Sequence, residues 1–356
     1  MIYLDGSYLE GGGQIIRTAL ALSALTKKAF EIENIRKGRC NSGLAHQHIQ
    51  CVKSVKEICN AYVEGHSLGS EKIQFIPLEL KTKNMNVDIG TAGSITLLLQ
   101  ALLLPCMFGD RNIKLKLTGG TDVKWSQPFD YFNNVLIPQI KRFCDINVHL
   151  IKRGYYPKGN GSVEISIKPL YKIVKKEFIK ELQQNFTPLN LINQGNLIYI
   201  KGVSHASSDL QKAHVAERQA ETAELLLKQY GTVDIRTEYS ETLSTGSGIT
   251  VWAIYSKDKD EIDFRNPIRL GADSLGEKGK KAEMVGTEAA ERLINEMKSN
   301  APIDQYLGDQ ILPFLALVKG QVKVSHITNH CKTNMYVIEK FLGTKFEINE
   351  NIISVK

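Results

Sequence analysis

The chain has little of what would make it quickly classifiable. Its six cysteines, Cys40, Cys51, Cys59, Cys106, Cys144 and Cys331, are scattered and form no CxxC pair. That argues against a structural zinc site and for reduced thiols of a cytoplasmic protein. The start, Met1-Ile-Tyr-Leu-Asp5, lacks a basic stretch and reads as a strand, so no secretory leader is expected. Long apolar runs are missing too. The greasiest, Ile95 to Phe108, holds Gln100 and Pro105 and is too short to span a bilayer, so it reads as a buried helix with no membrane role. Charge is not lopsided either: a net +7 suits a polyanionic partner without demanding one.

What the chain does have is size and repetition. With 356 residues, 42 % apolar and 23 % charged, it is long enough for a large core and two domains. One pattern occurs three times. Ile15 to Phe30 reads as an apolar helix, followed by the strand Phe30 to Ile35 and the polar loop Arg36 to Gly43. Ile95 to Phe108 is followed by Asn112 to Leu117 and the loop Thr118 to Asp122. Ile311 to Val318 is followed by Gly320 to Ser325 and the loop His326 to Asn334. A polar cluster precedes each helix: Glu10-Gly-Gly-Gly-Gln14, Gly90-Thr-Ala-Gly-Ser94 and Tyr306-Leu-Gly-Asp-Gln310. Past each loop come a second helix (His46 to Cys59, Phe129 to Phe143, Asn334 to Leu342) and two strands, and a further strand leads into the unit. Repeated units stack on a shared core, which would bring the polar loops face to face.

The spacing breaks once. Ile15 to Ile95 is 80 residues, whereas Ile95 to Ile311 is 216, one period plus 136. The segment 181–298 therefore reads as an inserted αβ lobe and 1–180 plus 299–356 as a larger body. Within the lobe, Glu241 to Gly248 is rich in Ser, Thr and Gly and reads as a flexible turn.

Several clusters carry chemistry, each with a plainer alternative. The three glycines of Glu10–Gln14 let backbone approach a ligand at a helix N-terminus, which favours anions, or they make a tight turn for steric reasons. Glu10 suits a divalent metal, or a helix start where the dipole stabilises it. Arg17, Arg36 and Arg39, beside Gln47 and His48, together suit a phosphate, although any one of them alone reads as solvated. His326 and His330 share the third loop. Their spacing lacks an acidic third metal ligand, and a loop histidine can act as nucleophile or general base or simply sit on the surface. Tyr306, Asp309 and Gln310 read on their own as a helix-capping group. Arg153 to Gly161 reads as a hairpin link.

Taken in order, these residues resemble the RNA 3'-terminal phosphate cyclase family over nearly the whole chain. The likeness rests on Leu4-Asp-Gly6, Glu10-Gly-Gly-Gly-Gln-Ile-Ile-Arg17, Ile35 to Arg39, Gln47-His48, Gly90 to Ser94 with Gln100, Gly119 to Asp122, Arg153 to Pro157, Tyr306 to Gln310 and His330 to Asn334. The resemblance implies an α/β (α+β) fold of three two-helix, four-stranded modules with a smaller inserted αβ domain. It implies an ATP-dependent ligase that converts an RNA 3'-phosphate end to a 2',3'-cyclic phosphodiester and releases AMP and pyrophosphate. By the same resemblance His330 takes AMP as a covalent adduct, and Gln100, Pro128, Tyr131, Tyr306, Asp309 and Gln310 form the ATP pocket. Arg17, Arg36, Arg39, Gln47 and His48 hold the RNA terminal phosphate or the triphosphate, and Glu10 holds a divalent cation, Mg or Mn. The partners implied are ATP and RNA ending in a 3'-phosphate; a homodimer stays open. Two rivals share part of the pattern: a non-catalytic RNA-binding relative acting in ribosome assembly, which lacks the histidine, and an enolpyruvyl transferase of related architecture. The chain departs from the family where Asn160 interrupts a glycine run and where Gln127, not a second proline, precedes Pro128. Tyr131 stands at an aromatic position.

Overall fold

The computed structural model describes residues 1–172, 178–258, 263 and 267–356. The first third of the chain runs β1 (Ile2–Asp5), α1 (Gln14–Thr26), β2 (Phe30–Glu33), α2 (His46–Cys59), β3 (Tyr62–Glu64) and β4 (Ile73–Ile76). The second runs β5 (Met85–Asp88), α3 (Ile95–Met107), β6 (Ile113–Gly119), α4 (Phe129–Tyr131), a π turn (Phe132–Leu136), α5 (Ile137–Ile140), β7 (Cys144–Lys152) and β8 (Gly161–Pro169). Then come α6 (Phe178–Asn185), β9 (Leu189–Leu191), β10 (Asn196–Ser207), α7 (Val215–Leu227), β11 (Val233–Ser240), β12 (Ser247–Ser256), β13 (Ile268–Leu275) and α8 (Ala282–Lys298). The chain closes with α9 (Gln305–Val318), β14 (Gly320–Lys323), α10 (Asn329–Leu342), β15 (Phe346–Asn349) and β16 (Ile352–Val355).

Helices and small mixed sheets make this an α+β protein. Among the described residues, three sheets share one strand order: β1-β2-β4-β3, β5-β6-β8-β7 and β9-β14-β16-β15. In each the first pair is parallel and the other pairs are antiparallel. The fourth sheet, β11-β10-β12-β13, is covered by α7 and α8. Helix α1 packs on α2, α3 and α10, so the helical layers meet in one continuous apolar core. No described helix is long and apolar enough to cross a membrane.

Two helices start earlier than the apolar spacing predicts. Helix α9 begins at Gln305, not Ile311, because Asp304 caps it by accepting from the Tyr306 and Leu307 amides. Tyr306, Asp309 and Gln310 are therefore residues of its first turns and not the cap. Helix α10 begins at Asn329, not Asn334, with Thr328 accepting from the Cys331 amide, so His330 lies in a first helical turn and not in a loop. Between β10 and β11 the chain forms a 3-10 turn (Ser208–Ala213) and α7, separated by His214 in a left-handed conformation. The segment 241–246 is indeed a connection, between β11 and β12.

A buried ion network ties the β7–β8 link to β10 and β11. Arg153, fully enclosed, reaches Asp122 (3.0 Å), Asp130 (2.6 Å) and Glu238 (2.5 Å). His205 Nε2 lies 3.3 Å from Asp122, and the Tyr155 hydroxyl is 2.8 Å from His205 Nδ1. Asp122, Asp130 and His205 have the spacing of metal ligands, but the guanidinium already bonds one oxygen of each carboxylate. Beyond its turn geometry, the Arg153 link thus places a charge that its neighbours must neutralise.

Candidate active site at the helix N-termini

The helix starts are chained together by side chains. Gln14, first residue of α1, donates from Nε2 to Asp309 Oδ2 (2.7 Å) and to the His330 carbonyl (3.2 Å). Its orientation follows from those two acceptors, and its Oε1 then lies 2.5 Å from His330 Nδ1. Asn334 donates to the Asp309 carbonyl (2.8 Å) and is paired with Thr18 (2.7 Å). Arg17, buried one turn into α1, donates from Nε to Gln100 Oε1 of α3 (2.9 Å). The Ser94 amide at the start of α3 meets Gln47 Oε1 of α2 at 3.4 Å, and Thr96 donates to the Gln127 carbonyl (2.8 Å) just before α4. Helices α1 and α2 have no side-chain cap, so their first amides stay open, and open N-termini favour anions.

Two histidines are held in opposite tautomers. His330 Nδ1 faces the Gln14 amide oxygen and must donate, so in the neutral ring Nε2 is the unprotonated nitrogen. That atom lies 3.1 Å from Glu10 Oε2, and Glu10 is 3.7 Å from Arg39. Partial burial, opposed by Glu10 and aided by Arg17 and Arg39, holds the imidazole below its ordinary pKa. His48 is the reverse case: its Nδ1 accepts from the Ala45 amide (3.0 Å), so its proton sits on Nε2. Burial, with Arg17 and Arg36 beside it, depresses its pKa to about 3, so it stays neutral. A Cβ on Gly13 would come within 1.9 Å of His48 Nε2, so glycine is what lets the ring lie against the glycine-rich entrance. Burial raises Asp309 to about 7, with Arg17 opposing.

The remaining predicted residues fall around this centre. Arg36 spends one nitrogen on the Gly43 carbonyl (2.9 Å), at a φ of 54°. Pro128, Tyr131 and Tyr306 form a neighbouring group. Tyr131 is 1 % exposed, bonds Asp304 (2.6 Å) and stands edge-on behind Tyr306 (6.4 Å), which is 43 % exposed. Gln310 donates to the Tyr306 carbonyl (2.8 Å). A small cleft opens between α1, α3, the π turn and α9, apolar along Leu22, Leu104 and Phe132 and polar where Gln100, Asp309 and Gln310 line it. His326, on the loop before α10, is exposed. Asn160 stands at φ 61°, a left-handed position that asparagine tolerates nearly as glycine does, which accounts for its place in the glycine run.

The sequence did not single out Gln14, Thr18, Asn334 or Asp304. Gln14 closes the glycine-rich motif, but nothing local says that its partner is a histidine 316 residues away.

For a cation, the centre offers Glu10; the other carboxylate there, Asp309, is taken up by Gln14 Nε2. This fits the mode in which a hard divalent ion takes one protein oxygen and fills its shell from phosphates and water. The only described trio with ligand spacing is the Arg153 network.

A bare ring nitrogen flanked by guanidinium groups and open amides suits phosphate-group chemistry, which puts the protein among α+β enzymes acting on phosphate esters. The comparisons with known proteins narrow this. A family model described as RNA 3'-terminal phosphate cyclase matches residues 8–348. Proteins of that name from Pyrococcus furiosus and Pyrococcus abyssi are 46 % and 44 % identical over 354 residues, covering 99 % of this chain and 96 % of each relative. One from Archaeoglobus fulgidus is 44 % identical over 360 residues, covering 99 % of this chain and all of the relative. The chain belongs to the RNA 3'-terminal phosphate cyclase family and is an enzyme.

Proposed function

We propose that this enzyme converts an RNA 3'-terminal phosphate to a 2',3'-cyclic phosphodiester at the expense of ATP. His330 Nε2 attacks the α-phosphorus of ATP, a P–N bond forms, and pyrophosphate leaves. An oxygen of the RNA 3'-phosphate then attacks the same phosphorus, and the P–N electrons return to the ring. The adjacent 2'-hydroxyl attacks the activated terminal phosphate, loses its proton, and expels AMP. This last step is intramolecular, so proximity supplies much of its rate. It also requires a ribose.

The observation that carries the reading is the Gln14 contact, which pins a proton on Nδ1, so that Nε2 is the nitrogen left to attack once Glu10 is drawn from it onto a cation. Arg17, Arg36, Arg39, Gln47 and the Nε2–H of His48 would offset phosphate charge. Gln100, Pro128, Tyr306, Asp309 and Gln310 would seat the nucleotide, with Tyr131 backing Tyr306. Glu10 would hold a divalent cation, which neutralises phosphate charge when bound. The same reading divides the chain into a body of 1–180 plus 299–356 and a lobe of 181–298; the pairing of β9 with β14 supports moving the first border past Leu191.

The test is incubation with α-labelled ATP and magnesium. An acid-labile, alkali-stable label on the protein is expected, together with its passage to an RNA oligonucleotide ending in 3'-phosphate. His330→Ala should keep the fold and lose the label; a variant that still labels would move the nucleophile elsewhere.

A further inference from the structure

The most exposed large apolar side chain is Trp125, 95 % accessible on the loop between β6 and α4. Its backbone sits at φ 61°, a conformation that a bulky residue rarely adopts. The loop is not loose. Ser126 closes a turn onto the Val123 carbonyl (2.9 Å), Lys124 pairs with Glu277 (3.0 Å), and Thr96 holds the Gln127 carbonyl. A strained, pinned loop that offers an indole to water calls for a partner.

Its neighbourhood indicates which one. The Thr121 amide is bonded to the Gly154 carbonyl (2.9 Å), which brings the link bearing Tyr156 (75 % exposed) and the exposed Lys158 beside the Trp125 loop. A Cβ on Gly159 would touch Ala92 (2.8 Å), and Ser94 of that same segment meets Gln47. A continuous surface thus runs from Gln47 over residues 91–94 to two exposed aromatic rings with lysines beside them. We infer that Trp125 and Tyr156 form a stacking platform for the bases of single-stranded RNA upstream of the 3'-terminal phosphate, with Lys124 and Lys158 along the backbone. Base–aromatic stacking is indifferent to sequence, and adjacent cations follow the phosphates. The inference rests on the function proposed above, since it takes the terminal phosphate to sit at Gln47 and the arginines.

The chain has two tryptophans, and the other, Trp252, is 6 % exposed, so solvent-sensitive emission reports on Trp125. Titration with a ten-nucleotide RNA ending in 3'-phosphate should quench that emission, whereas a nucleoside 3'-phosphate should not. Trp125→Ala should weaken binding of the oligonucleotide by about five- to a hundredfold relative to the mononucleotide, and Trp125→Phe should recover most of it. An unchanged ratio of the two affinities in Trp125→Ala, or equal quenching by both ligands, overturns the platform. Labelling of His330 by ATP, followed in the same samples, keeps the outcomes apart. Absent labelling in the wild type counts against the enzymatic reading. Normal labelling with an unchanged affinity ratio counts against the platform alone.

Discussion

Replacing Gln14 by alanine isolates what the centre does to its nucleophile. As the N–P bond forms, the ring becomes cationic, so the contact from Nδ1 to Gln14 Oε1 strengthens between ground and transition state. A hydrogen bond from a charged donor contributes about 1.5–3 kcal/mol against about 1 for a neutral one. Its removal should slow adenylation by the difference, about 0.5–2 kcal/mol or about 2- to 30-fold. Gln14→Ala also takes the donor from Asp309 Oδ2 and the His330 carbonyl, which should lower stability by about 1–3 kcal/mol. The assay is a single-turnover time course of label incorporation at saturating ATP, with a denaturant titration of the same protein. Gln14→Glu keeps an acceptor for Nδ1 and should fall between wild type and alanine. Adenylation of Gln14→Ala at the wild-type rate would show that nothing depends on where the ring proton sits.

Gly13→Ala should cut adenylation at least tenfold, because the new methyl meets the buried His48 ring and not the free end of a side chain; crystals or spectra showing an undisplaced ring with full activity would refute this. His48 also sets a pH dependence. Its folded pKa, about 3, lies below the unfolded value near 6.5, so its contribution is intact above pH 6.5 and is lost progressively as pH falls towards 3. Asp304 and Asp309, raised to about 7, run the other way between about pH 4 and 7, so the difference in unfolding free energy between wild type and His48→Gln isolates the histidine; parallel pH curves would contradict it. Arg153→Met should destabilise the protein by about 3–5 kcal/mol, because it removes the buried guanidinium that bonds both Asp122 and Asp130; an unchanged urea midpoint would mean that His205 and Arg236 compensate those carboxylates.

Local pattern carried much of the fold. The helix predicted from His46 to Cys59 has those bounds in the structure, and Ile95 to Phe108 overshoots by one residue. Helix α3 has apolar positions that begin where the helix begins. Where a helix starts with polar residues, periodicity is silent for its first turn, which is why α9 and α10 begin before their apolar stripes. Strand β9, Leu189-Asn-Leu191, is too short to read alone; its partner β14 supplies the reason it is a strand. The site divides along the same line. Glu10, Arg39 and His330 were each visible as residues suited to phosphate, and the fold brings them within 4 Å of one another in sequence-distant pairs. Gln14 was not visible as their organiser, nor Arg153 as a buried hub, because the partners of each lie tens to hundreds of residues away. Trp125 was passed over because an aromatic residue is ordinarily core.

Asp304 does more than begin a helix. One of its oxygens takes the Tyr306 and Leu307 amides and the Tyr131 hydroxyl, and the other takes the Gly271 amide of β13 (2.8 Å). One carboxylate thus fastens β13, the helical segment at Tyr131 and the first turn of α9. Strand β13 is therefore more than a sheet edge: displacing Gly271 would strip a donor from the post on which Tyr306 stands.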